Sequence, residues 1–383
     1  MKLTQYFKNF FHNSQSSGIL LIFCVFISLL IANSSLGESY QNLLDTQLGA
    51  YNIATWINDG LMAIFFLLVG LEIKREIIEG ELSNIKNASL PIFAAIGGMV
   101  VPAIIYTLFN QGTDYAKGWG IPMATDIAFS LAIISMLSSK VPASIKVFLA
   151  ALAIVDDLGA ILVIAIFYTE QLHWTFLLIS LAIMVLLVLL NKFGVKKHIY
   201  YIIPGIALWY CMHHSGIHAT IAGVLLAFTI PTNESDTEIS PLEKLEGILH
   251  IPVSFIIMPI FALANTNIAF EPGMVDGLFT NFGFGIIGGL IGGKLIGVTL
   301  ACFIAIKLGI SQLPHKATWP QMFGVGLLAG IGFTMSIFIA LLSFKGHHEI
   351  QDEAKFAILV ASTLAAILGY TLLKYTSKTK HID

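Results

Sequence analysis

Residues 151–160 read Ala151-Leu152-Ala153-Ile154-Val155-Asp156-Asp157-Leu158-Gly159-Ala160, an apolar run with two adjacent carboxylates in its middle. The run extends over about 144–168, long enough to cross a bilayer as a helix, which takes about 20 mostly apolar residues. A charge at the centre of such a span costs roughly 2.5–3.5 kcal/mol on insertion scales. Two neighbouring acids there are expensive unless they have work to do. The composition sets the same frame. Of 383 residues, 56% are apolar and 11% are charged, with a net charge of −3. Soluble domains carry about 25% charged residues. The balance excludes a soluble globular enzyme, a disordered chain and a nucleic-acid binder with a basic patch. It predicts an all-α polytopic membrane protein.

Twelve candidate spans follow from the hydropathy pattern, at about 16–33, 57–73, 88–109, 119–138, 144–168, 173–191, 198–212, 216–231, 248–269, 283–306, 320–344 and 354–374. No long polar linker divides them, so 1–383 is read as a single membrane domain. The positive-inside rule supports an even count with both termini in the cytoplasm. In that orientation sixteen basic residues lie inside, from Lys2 and Lys8 to Lys378 and Lys380, and only Lys117, Lys345 and Lys355 lie outside. The apolar stretch after Lys8 ends in Ile31-Ala32-Asn33-Ser34, a poor cleavage site, so it is read as a retained first span. The outer connection at 34–56 holds either a small hairpin or amphipathic turn used in dimer contact, or a plain surface loop.

Four charged residues fall deep in spans: Asp126, Asp156, Asp157 and Lys294. Three acids and one base at a similar depth point to a shared polar site rather than a plain salt bridge, since one lysine cannot neutralise three carboxylates. Asp156 and Asp157 point about 100° apart on a helix. They titrate as a coupled pair that resists carrying two charges at once. A hard monovalent cation suits the same oxygens as a proton does. A site that holds one or the other, and not both well, couples their fluxes.

The segment Gly118-Trp119-Gly120-Ile121-Pro122-Met123-Ala124-Thr125-Asp126 breaks the helical pattern, with Pro122 lacking a backbone donor. A later segment has the matching weakness: Gly324, Gly326, Gly330 and Gly332, then Phe333-Thr334-Met335-Ser336. Interrupted segments in corresponding positions of two halves point to a transporter site between inverted repeats. Ala95-Ile96-Gly97-Gly98 also resembles Ile286-Ile287-Gly288-Gly289, which places the repeats at about 88–168 and 283–374. Broken helices expose dipole ends of both signs. Asp126 is placed to offset N-terminal ends and Lys294 to offset C-terminal ends, while Thr125 offers a hydroxyl and a carbonyl to a small cation.

Other motifs carry less. Gly288 to Lys294 spells GxxxxGK, but Leu295 follows and no strand precedes, so nucleotide binding is rejected. Glycines at 285, 289, 293 and 297 read as a close-packing ridge. His214 and His218 have i, i+4 spacing without a zinc motif, and His218 is read as a core or interface histidine. Cys24, Cys211 and Cys302 are read as inert. An intramembrane aspartyl protease is rejected because neither Asp126 nor Asp157 sits in a GxGD context. Asp59, beside Asn58, is either a helix cap or part of an ion access route.

Four strings resemble the bacterial sodium/proton antiporters of the NhaA type: Ala124-Thr125-Asp126-Ile127-Ala128-Phe129, the run at 151–160, Gly70-Leu71-Glu72-Ile73-Lys74-Arg75-Glu76, and Gly330-Ile331-Gly332-Phe333-Thr334-Met335-Ser336. The resemblance covers about 16–374, and inverted repeats are a known property of that family. It implies twelve spans with broken, crossing helices in spans four and eleven. It also implies electrogenic, pH-regulated exchange of cytoplasmic Na⁺ or Li⁺ for more than one periplasmic proton, in the bacterial inner membrane, with no cofactor and no enzymatic reaction. The partners implied are Na⁺, Li⁺, H⁺, the lipid bilayer and a second copy of the chain, with dimer contacts at 34–56 and spans 1–2 and 8–9.

Carried over by motif, Asp157 is the central ion ligand and proton carrier. Asp156 assists by binding the ion or by pairing with Lys294, and Thr125 helps bind Na⁺. Asp126 and Lys294 balance the helix ends. A cytoplasmic cluster linked to pH control comprises Glu72, Arg75, Glu76, Lys244, Glu246 and His250; the alternative is an ordinary inner-surface salt-bridge network. Here Gly247 follows Glu246 where many members carry histidine, and the preceding loop is acidic, with Glu234, Asp236, Glu238 and Glu243. A Na⁺-coupled symporter of an organic anion is the competing reading of function, and it requires a larger polar pocket.

Overall fold

The computed structural model describes residues 14–137, 140–169, 171–232 and 239–377. Lys2, Lys8, Lys378 and Lys380, and Glu234, Asp236 and Glu238 of the acidic loop, lie outside the described residues. The chain is built almost wholly of helices, and every long one is apolar. In order they are α1 (Ser14–Ala32), α2 (Gly37–Asp45), α3 (53–78), α4 (Ile85–Asn110), α5a (Asp114–Met123), α5b (Ile127–Ser135), α6 (Ala143–Phe167) and α7 (Trp174–Lys192). Then come α8 (Ile199–Ser215), α9 (Ile221–Thr229), α10 (Pro241–Asn265), α11 (Asn281–Lys307), α12a (Trp319–Ala329), α12b (Phe333–Ser343) and α13 (His348–Thr376).

Among the described residues, α4, α6, α7, α10, α11 and α13 are each long and apolar enough to cross a membrane. Three bent pairs raise the number to nine if each is one span: α1 with α2, α5a with α5b, and α12a with α12b. The expected segments at 57–73, 198–212 and 216–231 are helical as α3, α8 and α9 but fall outside that measure. Large apolar side chains such as Leu178, Leu181 and Val185 on α7 face outward. Water would penalise that face, and a hydrocarbon environment accepts it. The chain is an α-helical integral membrane protein.

The connection at 34–56 is structured. It holds α2 and a two-stranded antiparallel hairpin, β1 (Gln47–Leu48) against β2 (Tyr51–Asn52), in the register Gln47 to Asn52 and Leu48 to Tyr51. Gly49 turns the hairpin with a φ of +70°, a conformation open to glycine and strained for most residues. Asn52 then caps α3, accepting a bond from Thr55 N at 2.9 Å. Asp59 is therefore not the cap. It lies inside the helix, in a wider π turn at Trp56–Leu61, with a carboxylate oxygen 3.5 Å from His213 Nδ1.

Close helix approaches set the site. α4 and α11 cross at Gly97 and Gly297, where a Cβ on either glycine would run into the other's carbonyl. α3 meets α9 through Gly70 and Gly223, which face Ala227 and the Ala63 carbonyl. α13 runs along α12a, with Leu373 against Gly324 and Leu328 against Gly369. Small residues allow such approaches, and in a membrane close van der Waals packing is the main force available between helices. His218, read as a core or interface residue, meets the edge of the Phe338 ring with centroids 5.6 Å apart.

Candidate ion site

Two interrupted helices build the centre of the molecule. α5a ends at Met123 and α5b begins at Ile127, bent by 40° across Ala124-Thr125-Asp126. α12a ends at Ala329 and α12b begins at Phe333, bent by 43° across Gly330-Ile331-Gly332. The two interruptions touch: the Asp126 N–H donates to the Ile331 carbonyl at 2.7 Å. Each break strands backbone groups that an unbroken helix would pair, and a polar group left unpaired in a buried apolar setting is costly.

Side chains of the breaks and their neighbours take up those groups. One Asp126 oxygen accepts from Phe129 N at 3.0 Å, capping α5b. The other accepts from Thr334 N at 3.1 Å and from the Thr334 hydroxyl at 2.5 Å, at the start of α12b. One carboxylate thus faces two helix N-termini, where negative charge is favoured. On the opposite side, the Ser336 hydroxyl donates to the Ile121 carbonyl at 2.7 Å, near the end of α5a. The Thr125 hydroxyl lies 2.8 Å from the Ala329 carbonyl, the end of α12a.

Thr125 connects the breaks to α6 and α11. Its oxygen is 2.6 Å from Asp156 Oδ2 and accepts from Lys294 Nζ at 2.9 Å. Having one proton to give, it serves Asp156 or the Ala329 carbonyl at any moment. Lys294 forms an ion pair with Asp156, and both side chains are fully buried. The structure therefore gives Lys294 to Asp156 and Thr125, and the C-terminal carbonyl of α12a to Thr125 rather than to the ammonium directly.

Asp157 is different. It is buried, and its Oδ1 has no hydrogen-bond partner among the described residues; Asp156 Oδ1 shares that condition. A buried, unpaired carboxylate oxygen is costly and calls for a proton or a cation. The donors on hand for a small hard cation are oxygens: the carboxylates of Asp157 and Asp156 and the hydroxyl of Thr125.

A second cluster lies at the end of α3. Arg75 Nε donates to Glu246 of α10 at 2.9 Å, and the same guanidinium donates to Glu76 at 2.8 Å. Glu72, half-buried one turn earlier, lies in the electrostatic range of Glu246, Arg75 and Glu76. Lys244 and His250 are exposed and form no ion pair among the described residues. Of the six residues grouped from sequence, Arg75, Glu76 and Glu246 are joined by ion pairs, and Glu72 lies within electrostatic range of them. Lys74, not singled out from sequence, donates to the Phe228 and Ile230 carbonyls at 2.8 and 2.5 Å, closing the end of α9. Beside this cluster a cavity of about 490 Å³ is lined by Glu76, Glu79 and Glu81 and reaches Ala150 and Ile154 on α6, one turn before Asp157.

Sequence reasoning assigned no role to Thr334, Ser336 or Ser362. The first two lie in a motif singled out for its glycines. Their hydroxyls gave no signal, because serine and threonine in a helix usually satisfy themselves on their own backbone.

The helical membrane scaffold, with an unpaired acid beside two facing helix breaks, defines a class: polytopic membrane proteins with a polar site in the bundle interior. Comparison with known proteins narrows the class. The family model described as Na⁺/H⁺ antiporter 1 matches residues 8–373. The chain is 57% identical over 383 residues to a Na⁺/H⁺ antiporter NhaA 2 of Flavobacterium johnsoniae, covering 98% of this chain and 93% of that protein. It is 52% identical to a Na⁺/H⁺ antiporter NhaA of Flavobacterium psychrophilum, covering 100% of this chain and 99% of the relative. It is 51% identical to one of Dechloromonas aromatica, covering 98% and 97%. The chain belongs to the Na⁺/H⁺ antiporter 1 family.

Proposed function

We propose that the protein is a secondary transporter that moves Na⁺ out of the cytoplasm in exchange for periplasmic H⁺. The single observation that carries the reading is the buried Asp157 carboxylate oxygen without a hydrogen-bond partner among the described residues, next to the ion-paired Asp156. In the cytoplasm-facing state Asp157 loses its proton and takes Na⁺, with Thr125 and the free oxygen of Asp156 completing an oxygen shell. In the outward-facing state periplasmic protons displace the ion and reset the carrier. Proton and Na⁺ compete for one set of lone pairs, so neither flux proceeds without the other.

The finer reading follows the same chemistry. Asp126 and Lys294 hold the polar breaks at the membrane interior, as caps and counter-charge. Twelve spans with both termini in the cytoplasm, in a bacterial inner membrane, match the inside excess of basic residues. The segments α4–α5–α6 and α11–α12–α13 form inverted repeats, each a long helix, a broken helix and a long helix. The cavity lined by Glu76, Glu79 and Glu81 is the cytoplasmic approach. The group at Glu72, Arg75, Glu76 and Glu246, with Lys244 and His250 nearby, adjusts activity to pH. A dimer forms through 34–56 with its neighbouring spans, and Li⁺ substitutes for Na⁺. With two protons entering per Na⁺ leaving, one net charge moves inward, and each 100 mV of membrane potential contributes about 2.3 kcal/mol to extrusion.

The test is Asp157→Asn in everted membrane vesicles loaded with a pH-gradient dye. The expected outcome is loss of Na⁺-induced dissipation with normal amounts of folded protein in the membrane. A wild-type rate in the variant removes Asp157 from the carrier role.

A further inference from the structure

We infer that Ser362, on α13, is a positioning residue for the ion site: it fixes the start of α12b and, through Thr334, the Asp126 carboxylate that binds the two breaks together. This rests on the transport reading for its functional consequence, and on geometry alone for its structural one.

The argument starts from an unmet need. A helix leaves its first N–H groups without intrahelical partners. At α12b the residue before the helix is Gly332, which has no side chain to cap it. Thr334 N finds Asp126, as described. Phe333 N finds the Ser362 hydroxyl at 3.1 Å, both groups buried. Two other helices therefore supply what α12b lacks.

Ser362 also behaves unlike its neighbours. Thr363 and Thr371, on the same helix, donate back to the carbonyls four residues earlier at 2.8 and 2.6 Å. Among the described residues Ser362 makes no such bond, and its one hydrogen bond crosses to α12b. It is the exception to the usual self-satisfaction of hydroxyls in a helix. Its position is as particular as its bond. α13 is continuous past the break in α12, and it packs on α12a through Leu373 at Gly324 and Gly369 at Leu328. One unbroken helix thus lies along α12a and holds the first amide of α12b. It sets the offset between the two halves across Gly330-Ile331-Gly332.

From there the chain of contacts is short. The start of α12b fixes Thr334; Thr334 holds Asp126 through two bonds; Asp126 lies next to Thr125, which touches both Asp156 and Lys294. Loss of the Ser362 hydroxyl frees the first amide of α12b and loosens the whole series without removing any ion ligand.

The experiment compares full-length wild type with Ser362→Ala and Ser362→Thr. Hydrogen–deuterium exchange in detergent reads the geometry. The peptide covering 124–130, on the far side of the break, is expected to exchange about tenfold faster in Ser362→Ala and near the wild-type rate in Ser362→Thr. Transport in proteoliposomes reads the function. The apparent KM for Na⁺ is expected to rise about fivefold in Ser362→Ala, with the maximal rate within about twofold and recovery in Ser362→Thr. Unchanged exchange at 124–130 overturns the inference, as does a fall in maximal rate alone with KM unmoved. Should Ser362→Ala not accumulate, Ser362→Cys, with a weaker acceptor, reads the same shifts at smaller size. A wild type that shows no Na⁺-dependent proton movement sinks the transport reading instead, and the exchange measurement still decides the placement.

Discussion

The two helix breaks solve one problem in opposite ways. The break at Ala124-Thr125-Asp126 carries its own polar groups: a carboxylate that caps the following helix and a hydroxyl that reaches the other break. The break at Gly330-Ile331-Gly332 carries none. Its carbonyl at Ala329 relies on Thr125, and its amides at Phe333 and Thr334 rely on Ser362 and Asp126. The first break supplies most of the side-chain chemistry and the second mostly receives it, returning the Ile331 carbonyl to the Asp126 amide and the Ser336 hydroxyl to the Ile121 carbonyl. The recipient has another distinction. A Cβ at Gly330 would meet the Leu290 carbonyl, and one at Gly332 would meet the Ser336 side chain, so this break is fitted to its surroundings by having no side chain at two of its three positions. A buried interruption therefore needs either side chains that complete it or the room for neighbours to do so.

That comparison is open to attack. The largest effect is expected from Asp126→Ala, which strips both breaks at once and leaves Phe129 N, Thr334 N and the Thr334 hydroxyl unpaired. Buried unpaired donors cost about 1–3 kcal/mol each, so a loss of about 4 kcal/mol is expected, read as a sharp fall in thermal unfolding temperature in detergent. A small fall would mean that water fills the gap. Next comes Gly330→Ala, which forces a methyl group towards the Leu290 carbonyl; about 2 kcal/mol is expected from overpacking. Ala124→Gly, the counterpart in the other break, is the control, and an equal penalty there would erase the distinction between donor and recipient. The smallest effect on stability belongs to Arg75→Ala, far from both breaks. The Arg75 side chain is one-third exposed, so less than about 1 kcal/mol of stability is expected from its bridge to Glu246. Its consequence should appear in the pH dependence of vesicle transport instead. An unchanged pH profile would leave the cluster as a plain salt-bridge network.

Much of the candidate site is legible in the sequence, and the reason is cost. Asp126, Asp156, Asp157 and Lys294 stand out because charge in a hydrocarbon span is expensive. Thr125 stands out because it follows a proline-interrupted turn. What the pattern does not contain is which partner each residue takes. The residues alone set Lys294 against three acids, and the family resemblance offers pairing with Asp156 as one of two roles; the pairing seen depends on how α11 and α6 face each other, which spacing along one chain does not encode. The hydroxyls of Ser336 and Ser362 carry no penalty in a helix and so leave no trace. Asp59, at the head of an apolar run, offers either a cap or part of an ion access route; the cap goes to Asn52, a full two turns earlier. In the cluster around Arg75, Lys244 points about 160° away from Glu246 on α10, while His250 shares the face of Glu246 but lies one turn further along, beyond the Arg75 bridge.

Asp126 has one further consequence. A single anion is riveted to the heads of α5b and α12b, so these two half-helices cannot separate without exposing two bare positive poles to oil. A rearrangement that keeps these two half-helices together is therefore less costly than one that parts them.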